Sequence, residues 1–206
     1  MTVRRESGPG GSRRWREIAV AGHTGDADAA RGALADADPV SRELGLGALA
    51  RLGVLTDDHL RAALLDDAPA VRRRAAMIAG HRPSVSLRAV LDDADATVVE
   101  AAAWACGEQE SVDDDVLDAL IDLGVSSSDA LVREACTAAL GAIGDPRGLP
   151  TILHGCSDKP AVRRRAVLAL APFVGDEVDT ALQTALTDRD WQVRQAAEDV
   201  LRAANG

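Results

Sequence analysis

Aromatic residues are scarce in this chain: its 206 residues include one Phe, three Trp and no Tyr. The β-branched and aromatic enrichment that packs a pleated surface is missing, which excludes an all-β fold and leaves a core of small aliphatic side chains. Cysteine is also rare. Cys106, Cys136 and Cys156 are odd in number, have no CxxC spacing and sit where the repeat calls for small apolar residues, so buried, reduced thiols are expected over a disulfide or metal role. No apolar run approaches the roughly 18 residues of a membrane span, and the start lacks the apolar stretch of a secretory signal. The expectation is a cytoplasmic protein with no membrane partner. Positive charge is in deficit, with 23 Lys and Arg against 33 Asp and Glu, a net charge of -10. Residues 1–16 hold Arg4, Arg5, Arg13, Arg14 and Arg16 against Glu6, a local +4 that leaves the body near -14. So acidic a body offers no broad surface for neutralising phosphates, and no nucleic-acid partner is expected. Residues 1–13, basic and punctuated by Gly and Ser, read as a disordered leader, contact with an acidic partner being the other use open to them.

What the chain does have is a period. An Asp, then five residues on a Val-Arg pair, then small apolar residues and a Gly recur near Ser41-Arg42, Val71-Arg72, Val98-Val99, Val132-Arg133, Val162-Arg163 and Val193-Arg194, at spacings of 30, 27, 34, 30 and 31 residues. A repeat of that length is one supersecondary unit stacked on its neighbours, a solenoid. Ala and Leu dominate its apolar positions, and both favour helix.

The second repeat shows how each unit is built. Leu60, Leu64 and Leu65 follow Thr56, a candidate N-cap, and the pattern breaks at Asp66-Asp67-Ala68-Pro69. A second helix then runs from about Ala70 to Gly80. Each repeat is therefore two antiparallel helices, A and B. Counting from the first residue of each pair, offsets four and eight carry residues such as Ala75 and Ala79 or Ala102 and Cys106, small enough for close helix approach. Five residues before it stand Asp36, Asp66, Asp93, Ser127, Ser157 and Asp188, and one after it stands Arg in all repeats but the third, which has Val99. Such residues are expected to cap helix B and to bond to the neighbouring turn as a ladder.

The pattern D-x-x-x-x-V-R-x-x-A-A-x-A-L-G-x-I-G, nearly complete through Val132-Arg133, Ala139-Leu140-Gly141 and Ile143-Gly144, resembles the HEAT repeat, and its short period resembles the phycobilisome-lyase-type HEAT-like repeats. The resemblance spans roughly residues 25–204, with departures at Ser41, Val99, Gly148, Pro150 and Gly155. It implies an all-α, right-handed α-α superhelix, a HEAT/armadillo-like solenoid of about six helical hairpins over residues 14–206, with repeats at about 25–53, 56–82, 84–109, 111–144, 145–174 and 176–204. Glu198 and Arg202 replace apolar or small residues in the last repeat, which makes its helix a polar cap. At the other end Trp15, Ile18 and Ala19 form an amphipathic segment suited to closing the first repeat.

The resemblance also implies that helix B lines a concave face. With offsets zero, four, seven and eight buried, offsets two, three and six map that face. Its charged edge is Arg73, Arg74, Glu100, Glu134, Arg164 and Arg165, and its apolar middle is Met77, Trp104 and Leu168. Trp104 has two environments open to it, as a displayed anchor or packed sideways between helices. The doubled Arg residues likewise suit either a solvated face or an anion site. Trp191, in the last intra-repeat turn, is expected as a wedge under the terminal repeat.

His23, His59, His81 and His154 lie in separate repeats with no ligand-spaced partner, and the glycines form no phosphate loop, so no metal, cofactor or catalytic residue is expected. The resulting function is a non-catalytic scaffold binding a protein or peptide through the helix-B face. The alternative that the resemblance implies is a bilin-lyase-like enzyme or subunit holding a tetrapyrrole. Deoxyhypusine hydroxylases share the architecture but need His-Glu pairs that are missing here. HEAT-like DNA glycosylases need a basic aromatic groove, and this body is acidic.

Overall fold

The computed structural model describes residues 9–204, with side chains from residue 11 onward, so residues 1–8 of the expected leader lie outside the described residues. Residues 9–13 lie at the start of α1 (Pro9–Thr24). The chain divides into two compact units, residues 1–78 and 79–206. Every regular element among the described residues is helical.

In the first unit α1 is followed by α2 (Ala27–Ala33), α3 (Pro39–Arg51), α4 (Asp57–Ala63) and α5 (Pro69–Ala79), whose last residue opens the second unit. α2 with α3 and α4 with α5 are A and B helices of two repeats. Thr56 caps α4 through the His59 backbone N–H, in a capping box closed by the His59 ring. α1 makes the contacts of a helix B that the period did not reveal. Arg14 reaches Asp36 at 3.5 Å, Ile18 and Ala21 are buried, and a Cβ on Gly22 would lie 2.9 Å from the Ala48 Cα. The positions that face a helix A elsewhere are here Arg13 and Glu17, an exposed ion pair at 3.6 Å.

In the second unit a 3-10 turn over Arg88–Asp92 precedes α6 (Ala96–Gly107). α7 (Asp114–Ser126) and α8 (Ala130–Ile143) follow, then a 3-10 turn over Pro146–Gly148, α9 (Leu149–Gly155) and α10 (Pro160–Ala169), and finally α11 (Asp176–Ala185) and α12 (Trp191–Ala204). The third helix A is thus cut to a single 3-10 element, and this shortens the spacing before Val98 to 27 residues. The B helices α6, α8, α10 and α12 pack in succession, with α7 and α9 behind them. Small residues set how closely they approach: a Cβ on Gly141 would lie 2.5 Å from the Ala169 Cβ and 2.7 Å from its Cα, and one on Gly107 would lie 2.9 Å from the Ala139 Cα. The two glycine departures in the fifth repeat have the same cause, because Gly148 lies against Leu140 and Gly155 against Ala166. Cys106 and Cys136 are buried, and burial pushes both thiols up to about 12; the half-buried Cys156 is pushed up to about 11.

Two polar residues share each turn. The residue five before the reference position bonds within its turn: Asp36, Asp66, Asp93 and Asp188 accept from the backbone N–H two residues on, and Ser127 does so through Oγ. Helix B is capped from elsewhere, by a second Asp two residues later: Asp38, Asp95, Asp129 and Asp190 cap α3, α6, α8 and α12. α5 and α10 begin instead on Pro69 and Pro160, whose fixed φ suits the first helical position. Ser41, which stands where other repeats have Val, is buried and its Oγ donates to Asp38 at 3.1 Å.

In three repeats the Arg closes on the next turn. Arg42 forks Asp66 at 2.7 and 2.6 Å, Arg133 forks Asp158 at 2.6 and 2.7 Å, and Arg163 forks Asp188 at 2.8 Å through both nitrogens. In the fifth turn the acceptor is Asp158, one residue after the expected Ser157. In each case Nη1 also donates to a carbonyl of the arginine's own turn, at Asp36, Ser127 and Asp158 respectively. The guanidinium of Arg133 holds the Asp158 carboxyl below its usual range, and that of Arg163 does the same for Asp188.

Two predictions follow from this packing. Gly141→Ala places a methyl against the Ala169 backbone and should cost about 1–2 kcal/mol even after the gain in helix propensity. Gly32→Ala, in α2 with nothing within 4 Å of the added carbon, should instead stabilise by roughly 0.5–1 kcal/mol. Urea unfolding of both variants tests the contrast in sign. Because folding lowers the Asp158 and Asp188 carboxyls, the unfolded chain takes up protons first as pH falls. The ladder should therefore stabilise fully above about pH 4 and lose that stability as pH drops through the folded-state values. Asp188→Asn should flatten this acid slope in melts recorded across pH.

Candidate functional site

The helix-B positions singled out from the sequence fall in both units. In the first, Arg73 is exposed, Met77 is 37% exposed, and the Arg74 guanidinium overlies Gly47, 3.0 Å from where its Cβ would stand. Glycine at position 47 leaves the room that the Arg74 head occupies. This charge and Gly47 belong to one ridge of α3 and α5 within that unit.

In the second unit Trp104 is 42% exposed, which makes it a displayed side chain rather than one packed between helices. Glu100, one turn before it on α6, is half-buried. Glu134 on α8 and Arg165 on α10 face each other at 3.6 Å, just beyond hydrogen-bond length, so the Arg165 Nε is buried without a hydrogen-bond partner. These two charges are committed largely to one another. Arg164, by contrast, is exposed, and no hydrogen bond or ion pair engages it among the described residues.

Arg164 and the half-buried Leu168 open onto a cleft of about 280 Å³ whose other wall is α12, through Trp191, Gln192, Gln195 and Asp199. Trp191 is 64% exposed, so it does not wedge the terminal repeat. It sits at the first position of α12, after the Asp190 cap, where three other repeats carry Pro39, Pro69 or Pro160. A first-turn side chain at that place stands clear of the core, which explains the error in the wedge assignment. Gln192 and Gln195 were not singled out from the sequence. The signal for Gln195 was the helical spacing from Trp191, which puts it one turn on along the same face.

The arrangement offers an indole face, an unpaired guanidinium, two amides and an aliphatic floor. It can bind; among the described residues no His, Cys, Asp and Glu group of three or more is placed to hold a metal ion, and no helix is long and apolar enough to cross a membrane.

Comparison with known families decides the class of the chain. The family model for HEAT repeats matches residues 58–141, 84–171 and 124–202, which together run over most of the chain. The chain is a HEAT-repeat protein. Comparison with curated proteins returns no match. Among solved structures, these HEAT repeats are similar to an engineered protein, 19% identical over 86% of this chain and 97% of that one, with a TM-score of 0.64. They are similar as well to YibA from Escherichia coli, 19% identical over 98% of this chain and 77% of that one, with a TM-score of 0.63. A designed armadillo repeat protein solved in complex with a (KR)4 peptide is 16% identical over 94% and 91% of the two chains, with a TM-score of 0.50. These likenesses establish an α-α solenoid of the HEAT and armadillo kind.

The displayed indoles give a direct check. Trp104→Ala and Trp191→Ala should each lower stability by less than about 1.5 kcal/mol, against the roughly 3–5 kcal/mol of a fully buried Trp. Thermal melts with unchanged helical circular dichroism measure this. Acrylamide should quench the Trp191 emission most strongly when single-Trp variants are compared.

Proposed function

We propose that this protein is a non-catalytic HEAT-repeat scaffold that binds a peptide or protein segment along its helix-B ridge, anchored in the second unit at Trp104 and in the Trp191 cleft. The observation that carries the reading is the display of two of the three tryptophans on this one ridge, the second beside the unpaired Arg164. A soluble fold gains nothing from exposing its largest apolar side chains, whereas Trp beside a free Arg is the composition of binding hot spots. Met77, Arg73 and Arg74 give the first unit a ridge of the same character.

Neighbouring B helices lie about 9 Å apart, so the three steps from α6 to α12 span on the order of 30 Å, the reach of about nine extended residues. A segment with apolar side chains near both ends and an acidic residue for Arg164 fits those features, and Glu100 adds a place for a basic residue. Glu134 and Arg165 pair with each other and contribute shape rather than attraction. The mixed signs set register more than strength. The peptide held by the designed armadillo protein supports the class of ligand, a peptide on a helical solenoid, and not the sequence bound.

The test is selection of peptides from a displayed random library on the full chain, followed by affinity measurement on variants. Selected peptides should bind Trp191→Ala or Trp104→Ala at least about tenfold more weakly while both variants keep the wild-type helical circular dichroism at the binding temperature. Peptides indifferent to both substitutions and to Arg164→Glu would overturn the assignment of the ridge.

A further inference from the structure

On the helix-B ridge one carboxylate is answered from within the chain and its neighbour is not. Glu134, at offset two of α8, meets Arg165, at offset three of α10, at 3.6 Å. Glu100 holds offset two of α6, but α8 carries Ala135 where α10 carries Arg165, and the Glu100 carboxylate is in no ion pair or hydrogen bond among the described residues. One turn along α6 from Glu100 is the displayed Trp104, and one turn beyond that is Glu108, exposed and equally unpaired. Glu108 is the C-cap of α6 and keeps a helical backbone, with φ −89° and ψ −9°. Helical side chains lean toward the N-terminus, which brings the Glu108 carboxylate toward the indole and the indole toward Glu100. Ala138 and Ala142, at the offsets on α8 that match Trp104 and Glu108, put neither charge nor bulk on that flank. The last turn of α6 holds no basic residue, although a helix favours a cation there, so its carbonyl end adds to the negative potential. Residues 79–206 as a whole carry 11 Lys and Arg against 22 Asp and Glu.

We propose that Glu100, Trp104 and Glu108 form a site for an arginine side chain of the segment bound on this ridge. The inference rests on the helix-B ridge as the binding surface and adds the charge that the occupant brings to α6. The guanidinium lies flat on the indole and turns its N–H edge to a carboxylate, standing to Glu100 as Arg165 stands to Glu134. Charge and geometry favour this ligand over other cations. The two carboxylates are eight residues apart, about 12 Å along the helix axis, too far to share a metal ion, and no group of three or more metal-ligating side chains occurs among the described residues. A quaternary ammonium favours a cage of several aromatic faces, whereas α6 supplies one indole. An acidic segment would meet two unanswered carboxylates and is rejected. The site has repeats before and after it in the chain and shares no residue with the cleft at Trp191.

The probe is a Gly-Ser peptide with one central arginine, titrated into the full chain while the indole N–H resonances of the three tryptophans are followed. The Trp104 resonance should move and saturate while those of Trp15 and Trp191 stay fixed. Citrulline in place of the arginine keeps the plane and loses the charge, and should bind at least about tenfold more weakly, with lysine between the two. Glu100→Gln and Glu108→Gln should each weaken binding about threefold. Glu108→Gln should do so without lowering the melting midpoint, since it removes a negative charge from a helix C-terminus. Equal binding of the citrulline peptide would overturn the proposal, as would a Trp104 resonance that does not move or an affinity unchanged in both glutamine variants. Library-selected peptides that need Trp104 yet carry no basic residue would overturn it and leave the ridge standing. Peptides indifferent to Trp104→Ala, Trp191→Ala and Arg164→Glu would instead remove the ridge, and this site with it.

Discussion

Register between repeats rests on one arginine that belongs to two turns at once. Its Nη1 ties the start of helix B to the preceding carbonyl, and its other edge grips the carboxylate of the next hairpin at hydrogen-bond length, as Arg133 does with Ser127 and Asp158. With both edges used, the side chain has little freedom to lose or regain, so one residue fixes the height at which the next hairpin sits. The close contacts depend on that height. Gly141 faces Ala169 across the junction that Arg133 and Asp158 bracket, and it does so only when α8 and α10 are aligned to within a fraction of a turn. Polar bracket and small-residue seam are thus two readings of one register, the first directional and the second intolerant of added volume.

The period, the two helices per repeat and the Arg ladder were legible in the residues because each rests on side-chain type at fixed spacing. What escaped was governed by context. α1 repeats the interior contacts of a helix B through Arg14, Ile18 and Gly22, but its reference position is Arg13, since no described helix A covers that side and burial imposes no apolar residue there. The capping role went to the wrong aspartate, because Asp36 and Asp38 are both short carboxylates in one turn and only backbone direction separates an Asx turn from an N-cap. In the fifth turn the acceptor moved to Asp158 without changing turn length, a shift that a carboxylate one residue off the pattern hides. The third helix A kept its apolar residues, with Val90 and Leu91 buried, while its backbone tightened to 3-10 in the shorter span.

The candidate site was legible in part. Arg164 and Leu168 were found by helical offset, and the structure brings them to one cleft; Trp104 is exposed on α6 but lines no part of that cleft. Trp191 was read as a wedge because an aromatic in a tight turn of the last repeat suggests packing. It is displayed instead, since the first helical position projects beyond the layer that the core residues fill. Pairings such as Glu134 with Arg165 were hidden for a different reason: they join neighbouring repeats, and a single helical wheel shows only one helix.

The third repeat lacks the bracket arginine, and the fourth lacks its acceptor. Val99 is buried where an Arg would stand, and Ser127 replaces the carboxylate that it would meet. Losing only one partner would leave a desolvated charge unanswered, whereas losing both leaves a junction closed by packing alone. The heritable unit at each junction is therefore a pair of positions lying in different repeats, so a repeat duplicated or deleted as a block carries half of two such pairs across its ends, and its survival depends on the residues it lands beside.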